Sequence, residues 1–253
     1  MDLGLINKSV LIIGGSRGIG LSIAQNFLKE GAKVNIIARN ISDKLKTSLL
    51  KLHVGKVFFF KGDATDKESL IDISKQIVET FKGIDIVIAN VGNGKSSLDP
   101  IQSDIDWEES WNLNFKSALN SANVFMPIIN HLGSFIFISS IAGEEYLGAP
   151  NSYSVAKSSI NTLMKSLSHK FGSKLRINSV APGNVLFKNS RWEEKFNEAP
   201  KEVMKMIEEK VPMKRFGTPE EIANAVVFLS SSKASFITGA CINVDGGQTN
   251  SYS

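Results

Sequence analysis

The feature that most constrains this chain is a regular alternation of short, nearly continuous apolar runs with longer amphipathic stretches. The runs KSVLIIG, AKVNIIA, KVFFFKG, IDIVIAN, GSFIFIS, LRINSVA and ACINVD read as strands. Strands that lack polar alternation are covered on both faces, which is the condition of a parallel sheet between two helical layers. Between them, IGLSIAQNFLKEG carries apolar residues at three-to-four spacing and stops at Gly31. DKESLIDISKQIVETFKG repeats the design, with Asp66 as its N-cap and Gly83 as its terminator. The alternation predicts an α/β fold: a single-domain, Rossmann-type, doubly wound parallel β-sheet of about seven strands with helices on both faces. No Pro/Gly/Ser-rich linker and no fixed-period repeat divides the 253 residues, so residues 1–253 are read as one domain.

Charge and composition exclude several function classes. The net charge is +4, but the lysines are interleaved with Asp and Glu, and RWEEKFNEAPKEVMKMIEEK reads as a solvated helix face. A nucleic-acid partner is therefore not expected. No apolar run approaches the ~18 residues of a membrane span, so no membrane association is expected. The opening MDLGLINKSV lacks the charged and long apolar regions of a signal peptide, which makes the cytoplasm the expected compartment. Cys241 is the single cysteine and lies in a strand-like run, where a small buried hydrophobe is expected rather than a nucleophile. His53, His131 and His169 share no ligand spacing, so no metal site is expected.

LIIGGSRGIG places Gly14, Gly18 and Gly20 directly between the first strand and the first helix. Glycines there let the backbone turn tightly and approach a pyrophosphate lying over the helix N-terminus, with Ser16, Arg17 and Ile19 beside it. The spacing is Gly-x-x-x-Gly-x-Gly rather than the commoner Gly-x-Gly-x-x-Gly. The second strand ends in IIARN, where an NAD site normally holds a carboxylate for the ribose 2′-hydroxyl. This chain has Ala38, then Arg39 and Asn40, and a second cation, Arg17, in the glycine turn. Two guanidinium groups suit a 2′-phosphate, and the missing carboxylate removes a repulsion. NADP(H) is expected over NAD(H); the alternative is that both are ordinary surface arginines.

NSYSVAKSSI sets Tyr153 four residues before Lys157, and that spacing places both on one helix face. Chance alone produces such a pair in roughly one sequence in five of this composition, so it needs a context. A free tyrosine titrates near pH ~10, and a neighbouring ammonium and an oxidised nicotinamide both favour the phenolate and lower that value. A phenol tuned in this way donates a proton to a carbonyl oxygen, or takes one back in reverse. Ser140, at the end of the GSFIFIS strand, is placed to hydrogen-bond the same oxygen.

The ordered motifs together resemble the short-chain dehydrogenase/reductase family from residue 8 to about residue 248. The glycine turn is similar to that family's signature. GDATD looks like its adenine-contacting segment, carried by Asp63 and Ala64, and ANVG, with Asn90 and Gly92, matches the motif after the fourth strand. WNLNFKS puts Asn114 at the family's catalytic asparagine, and FISSIAG puts Ser140 thirteen residues before Tyr153. NSVAPGNV, with Pro182, Gly183 and Val185, matches the turn under the nicotinamide, and RFGTPEEIANAVVFLSS and ITGACINVDGG resemble the closing helix and strand.

The resemblance implies a cofactor half at about 1–130, a catalytic and substrate half at about 131–253, and a partly helical substrate lid at about 184–214. It also implies catalytic roles for Asn114, Ser140, Tyr153 and Lys157, with Tyr153 and Lys157 also touching the nicotinamide ribose and Asn114 holding a water that links Lys157 to solvent. The implied activity is NADP(H)-dependent interconversion of a small ketone or aldehyde and a secondary alcohol, in the direction of reduction, with a 3-oxoacyl thioester as the family's common substrate. Alternatives are a sugar, polyol or nucleotide-sugar dehydrogenase of the same family, and a non-catalytic NADP-binding regulator. A homo-oligomer, a tetramer or else a dimer, is implied as well.

Four positions depart from the pattern. Ile13 replaces a Thr, Ala89 and Val91 dilute Asn-Asn-Ala-Gly, and Phe187 replaces a Thr that holds the nicotinamide carboxamide. In the lid, Phe187, Trp192 and Phe196 offer apolar cover, and Lys188 and Arg191 are candidate anion contacts. Trp107 and Trp111 read as helix packing or a subunit contact.

Overall fold

The structure, a computed structural model, describes residues 2–52 and 56–250, and His53 lies outside them. Seven strands form one sheet: β1 (Ser9–Ile13), β2 (Lys33–Ala38), β3 (Val57–Lys61), β4 (Ile84–Ala89), β5 (Ile129–Ile138), β6 (Leu175–Pro182) and β7 (Cys241–Val244). Their order is β3-β2-β1-β4-β5-β6-β7, and every neighbouring pair is parallel. Helices α1 (Gly18–Lys29), α2 (Asp43–Leu50) and α9 (Pro219–Ser230) cover one face. Helices α3 (Lys67–Phe81), α5 (Ser117–Phe125) and α6 (Asn151–Phe171) cover the other. The remaining helices, α4 (Asp104–Trp111), α7 (Arg191–Glu198) and α8 (Pro200–Lys210), lie in the longer connections.

The strand sequences explain the layering. In β1, Val10 and Ile12 enter one core while Leu11 and Ile13 enter the other, and all four are buried. An inner parallel strand has no solvated face, hence its unbroken apolar run. Asp66 caps α3 as its position predicts, its carboxylate accepting from the Glu68 and Ser69 amides at 3.1 and 3.2 Å. At the far end of α3, Lys82 itself takes the left-handed conformation, with φ 59°, and Gly83 follows at φ 135°. Strand β5 begins at Ile129, four residues before the apolar pattern, because its first residues are exposed and its register against β4 shifts between Ile84 and Ile86. Cys241 is half-buried rather than buried, since β7 is an edge strand. Its thiol is pushed up to about 12, chiefly by desolvation, so it stays protonated.

The chain runs outward through β1, β2 and β3, then returns through α3 to place β4 on the other side of β1. The reversal opens a crevice beyond the C-terminal ends of β1 and β4, where a doubly wound sheet takes its ligands. Among the described residues no helix is long and apolar enough to cross a membrane.

Candidate active site

A cleft of about 620 Å³ occupies that crevice. One end is formed by Arg39, Asn40, Asp63 and Ala64, the middle by the glycine turn, Asn90 and Gly92, and the far end by Ser140, Tyr153 and Lys157. Pro182, Gly183 and Val185 lie along its side. Three of the catalytic and cofactor residues singled out by sequence do not line it: Gly18, Gly20 and Asn114.

Their positions explain why. A Cβ on Gly20 would lie 2.1 Å from the Gly14 carbonyl oxygen, so only glycine lets α1 start this close to β1. Gly18 has φ +52°, and a Cβ there would meet the Phe187 ring at 2.3 Å. Phe187 therefore lies on the glycine turn, a contact the sequence did not announce. Asn90 ties the turn to β4: its Nδ2 donates to the Gly14 carbonyl at 2.8 Å.

The N-terminus of α1 opens on the cleft through Ser16, Arg17 and Ile19. Arg17, the N-cap, makes no side-chain cap bond, and the first turn carries no acidic residue. Its amides therefore have no side-chain acceptor, the condition in which a helix N-terminus takes a phosphate. At the end formed by Arg39 and Asp63, Ala38 provides no carboxylate, and the two arginines are only loosely engaged: Arg39 lies 3.9 Å from Asp63, and Arg17 donates to the Asn189 carbonyl at 3.4 Å. The free helix end, the two cations and the absent acid fit a phosphorylated dinucleotide.

Ser140 follows β5 and caps a short turn, Ile141–Gly143, its Oγ accepting from the Ala142 amide at 3.2 Å. Gly143 allows α6 to pack tightly on that turn, since a Cβ there would lie 2.7 Å from the Lys157 backbone carbon. The packing brings Tyr153 beside Ser140, close enough for the serine hydroxyl to act on the phenol. Lys157 is 3% exposed; its Nζ donates to the Ile138 carbonyl at 2.9 Å and lies 5.8 Å from the Tyr153 ring centre. Asn114 is fully buried in a wide π-turn, Asn112–Lys116, between α4 and α5. Its Oδ1 accepts from the Asn93 amide at 2.8 Å and its Nδ2 donates to the Ser110 carbonyl at 3.1 Å. Gly92 packs between them: a Cβ there would lie 2.7 Å from Asn114 Oδ1 and 3.0 Å from Lys157 Nζ.

The electrostatics correct one expectation. The Tyr153 hydroxyl is not lowered by its neighbour; burial raises it, and only the Ser140 hydrogen bond opposes that. Burial also brings Lys157 down to about 8. Desolvation penalises both charged forms, and in this cleft it outweighs the attraction between them. Below pH 8 the lysine remains an ammonium and the tyrosine a phenol, the protonated pair that a proton donor requires.

Helices α7 and α8 border the far end. Glu194 pairs with Lys95 and, at 3.4 Å, with Arg191, joining α7 to the loop after β4. Trp192 stacks at 5.5 Å on Phe216, and Lys195 Nζ lies 4.9 Å over the Trp192 ring. Arg191, Trp192, Phe187, Lys195 and Lys95 line the cleft, whereas Lys188 and Phe196 do not. Lys95, Lys195 and Gln248 carry no motif, and only the fold brings them here. Trp111 stacks on Phe115 at 4.4 Å, which is packing within the helical layer.

Comparison with known proteins agrees with this geometry. The family model described as enoyl-(acyl-carrier-protein) reductase matches residues 14–249. The chain is 34% identical over 249 residues to a 3-oxoacyl-[acyl-carrier-protein] reductase of Chlamydia trachomatis, covering 96% of this chain and 98% of that one. It is 32% identical over 246 residues to an isoepoxydon dehydrogenase of Aspergillus clavatus, covering 94% and 93%. Among solved structures it resembles L-sorbose reductase of Gluconobacter frateurii, complexed with NADPH and L-sorbose, with a TM-score of 0.91, 29% identity, and coverage of 99% and 100%.

Proposed function

The chain belongs to the short-chain dehydrogenase/reductase family, and from that premise we propose that it reduces a ketone or aldehyde to an alcohol with NADPH. The observation that carries the reading is the Tyr153 phenol, beside Ser140 and backed by Lys157, in the same cleft as the open N-terminus of α1. A bound NADPH supplies the hydride. Tyr153 gives its proton to the carbonyl oxygen as negative charge develops there. Ser140 Oγ holds that oxygen in register. The Lys157 ammonium favours the phenolate that is left, and Asn114, behind Gly92, organises the path by which the proton is restored.

The cofactor contacts we assign are the glycine turn with Ser16, Arg17 and Ile19, then Arg39, Asn40, Asp63 and Ala64, and Asn90, Gly92, Pro182, Gly183 and Val185. Arg17 and Arg39 would hold the 2′-phosphate. The reduced state in which cells keep NADPH sets the direction. Acyl thioesters, as the name of the Chlamydia relative specifies, are the first substrate class to try; the L-sorbose reductase likeness favours sugars as the second. We read residues 1–253 as one domain acting in the cytoplasm as a homotetramer. Exposed Ile101, Ile105 and Val155 on one side, and Phe236 and Ile242 beside edge strand β7, support assembly.

Tyr153→Phe tests the reading because it keeps the ring and removes the proton. Turnover of a ketone panel with NADPH should fall by more than a hundredfold, while NADPH affinity, followed by cofactor fluorescence, stays within about threefold. Near-normal turnover would remove Tyr153 from the role of acid.

A further inference from the structure

Three cations, Lys95, Arg191 and Lys195, line the lid end of the cleft. Glu194 is paired with two of them, Lys95 and Arg191. Glu193 is turned away, its carboxylate accepting from the Asn189 amide at 2.6 Å. Lys195 is left with no carboxylate within ion-pair distance among the described residues; its ammonium faces the Trp192 ring. It is half-buried, and both desolvation and the Arg191 charge lower its pKa, with Glu198 opposing from farther away. A cation in that setting gains from any anion brought beside it, the more so as the cleft closes.

We propose that the carbonyl substrate carries an anionic group, a carboxylate or a phosphate, which Lys195 binds together with Lys95 and Arg191. The proposal rests on the reading of the cleft as a reductase site. The cofactor's own charges are accounted for elsewhere: the pyrophosphate at the α1 N-terminus and the 2′-phosphate at Arg17 and Arg39. Lys95 stands at the tyrosine end, since a Cβ on Gly94, next to it, would lie 3.9 Å from the Tyr153 ring, and Glu194, paired with both, holds Arg191 beside it. Trp192, Met206 and Leu147 line the same region and offer apolar cover for the carbons between ketone and anion.

The test pairs each anionic ketone with its neutral counterpart: pyruvate, acetoacetate and 4-oxopentanoate against their methyl esters, and dihydroxyacetone phosphate against dihydroxyacetone. The wild type should favour at least one anion over its partner by tenfold or more in kcat/KM, and Lys195→Gln should lower that ratio at least tenfold. Lys201→Gln, an exposed charge on α8 that does not line the cleft, should leave the ratio unchanged. A ratio equally lowered in both variants would reduce the effect to net charge and overturn the proposal. Binding of the same compounds to the NADP⁺ complex, followed by tryptophan fluorescence, separates the two readings. Tighter binding of the anion in wild type but not in Lys195→Gln sustains the anion site even if no ketone is reduced, and then it is the reductase reading that fails. Equal binding of anion and neutral partner throughout the panel overturns the anion site even if ketones are reduced.

Discussion

Replacing Lys157 by Met should stabilise the folded apoprotein at neutral pH while abolishing turnover. The lysine is buried, and desolvation takes its pKa from 10.5 to about 8. At ~1.4 kcal/mol per decade, holding it as an ammonium inside the protein below pH 8 costs about 3 kcal/mol relative to the unfolded chain. Met has similar length and no charge; it gives up the bond to the Ile138 carbonyl, worth about 1 kcal/mol. The net gain at pH 7 is therefore about 2 kcal/mol, or roughly 4–8 °C in Tm for a chain of this size. The sign depends on pH. Because the folded pKa lies below the unfolded one, the unfolded wild type binds more protons between about 8 and 10.5, and wild-type stability rises with pH across that window. The advantage of Met should thus shrink to near zero by pH ~9.5. Tyr153 is present in both proteins, so its own titration cancels from the difference. Urea unfolding of both apoproteins at pH 7 and pH 9.5, at one ionic strength, measures it. A variant less stable than wild type at pH 7, or a gap that does not change with pH, would refute the desolvation argument.

Three further outcomes are expected. Replacing Ala38 by Asp and Arg39 by Ser should weaken NADPH binding more than tenfold and leave NADH unchanged or improved, since each charge-assisted contact to the 2′-phosphate is worth roughly 1.5–3 kcal/mol; a wild type that uses NADH and NADPH equally would end that reading. Glu221 is held down to about 2 by its hydrogen bond from Arg215 and by the Thr218 amide, so it stabilises the fold above its unfolded pKa and that contribution is lost as the pH falls through about 2. Glu221→Gln should flatten the thermal-unfolding difference between pH 5 and pH 2.5 by less than about 1 kcal/mol, because the pair is exposed and screened. Light scattering at micromolar concentration should return four times the chain mass, and a monomer would contradict the assembly.

Much of this protein was legible before its structure. The unbroken apolar runs marked buried parallel strands, because only a strand covered on both faces dispenses with polar residues. Gly14, Gly18 and Gly20 marked the tight turn from β1 into α1, and the four-residue step from Tyr153 to Lys157 placed both on one face of α6. These signals are local: they depend on backbone sterics and on periods of two and 3.6 residues. What the tertiary structure decided is whatever depends on groups distant in the chain. Phe187 comes to lie on Gly18, Asn90 bonds the Gly14 carbonyl across 76 residues, and Lys95 meets Glu194 across 99 residues. The same holds for the charge state of the site. The Tyr–Lys spacing implied a lowered phenol, but the packing of α6 on the Ser140 turn excludes water from both groups, and the phenol is raised instead. Spacing along a helix sets which side chains meet; the dielectric around them is set by the elements the fold packs over them.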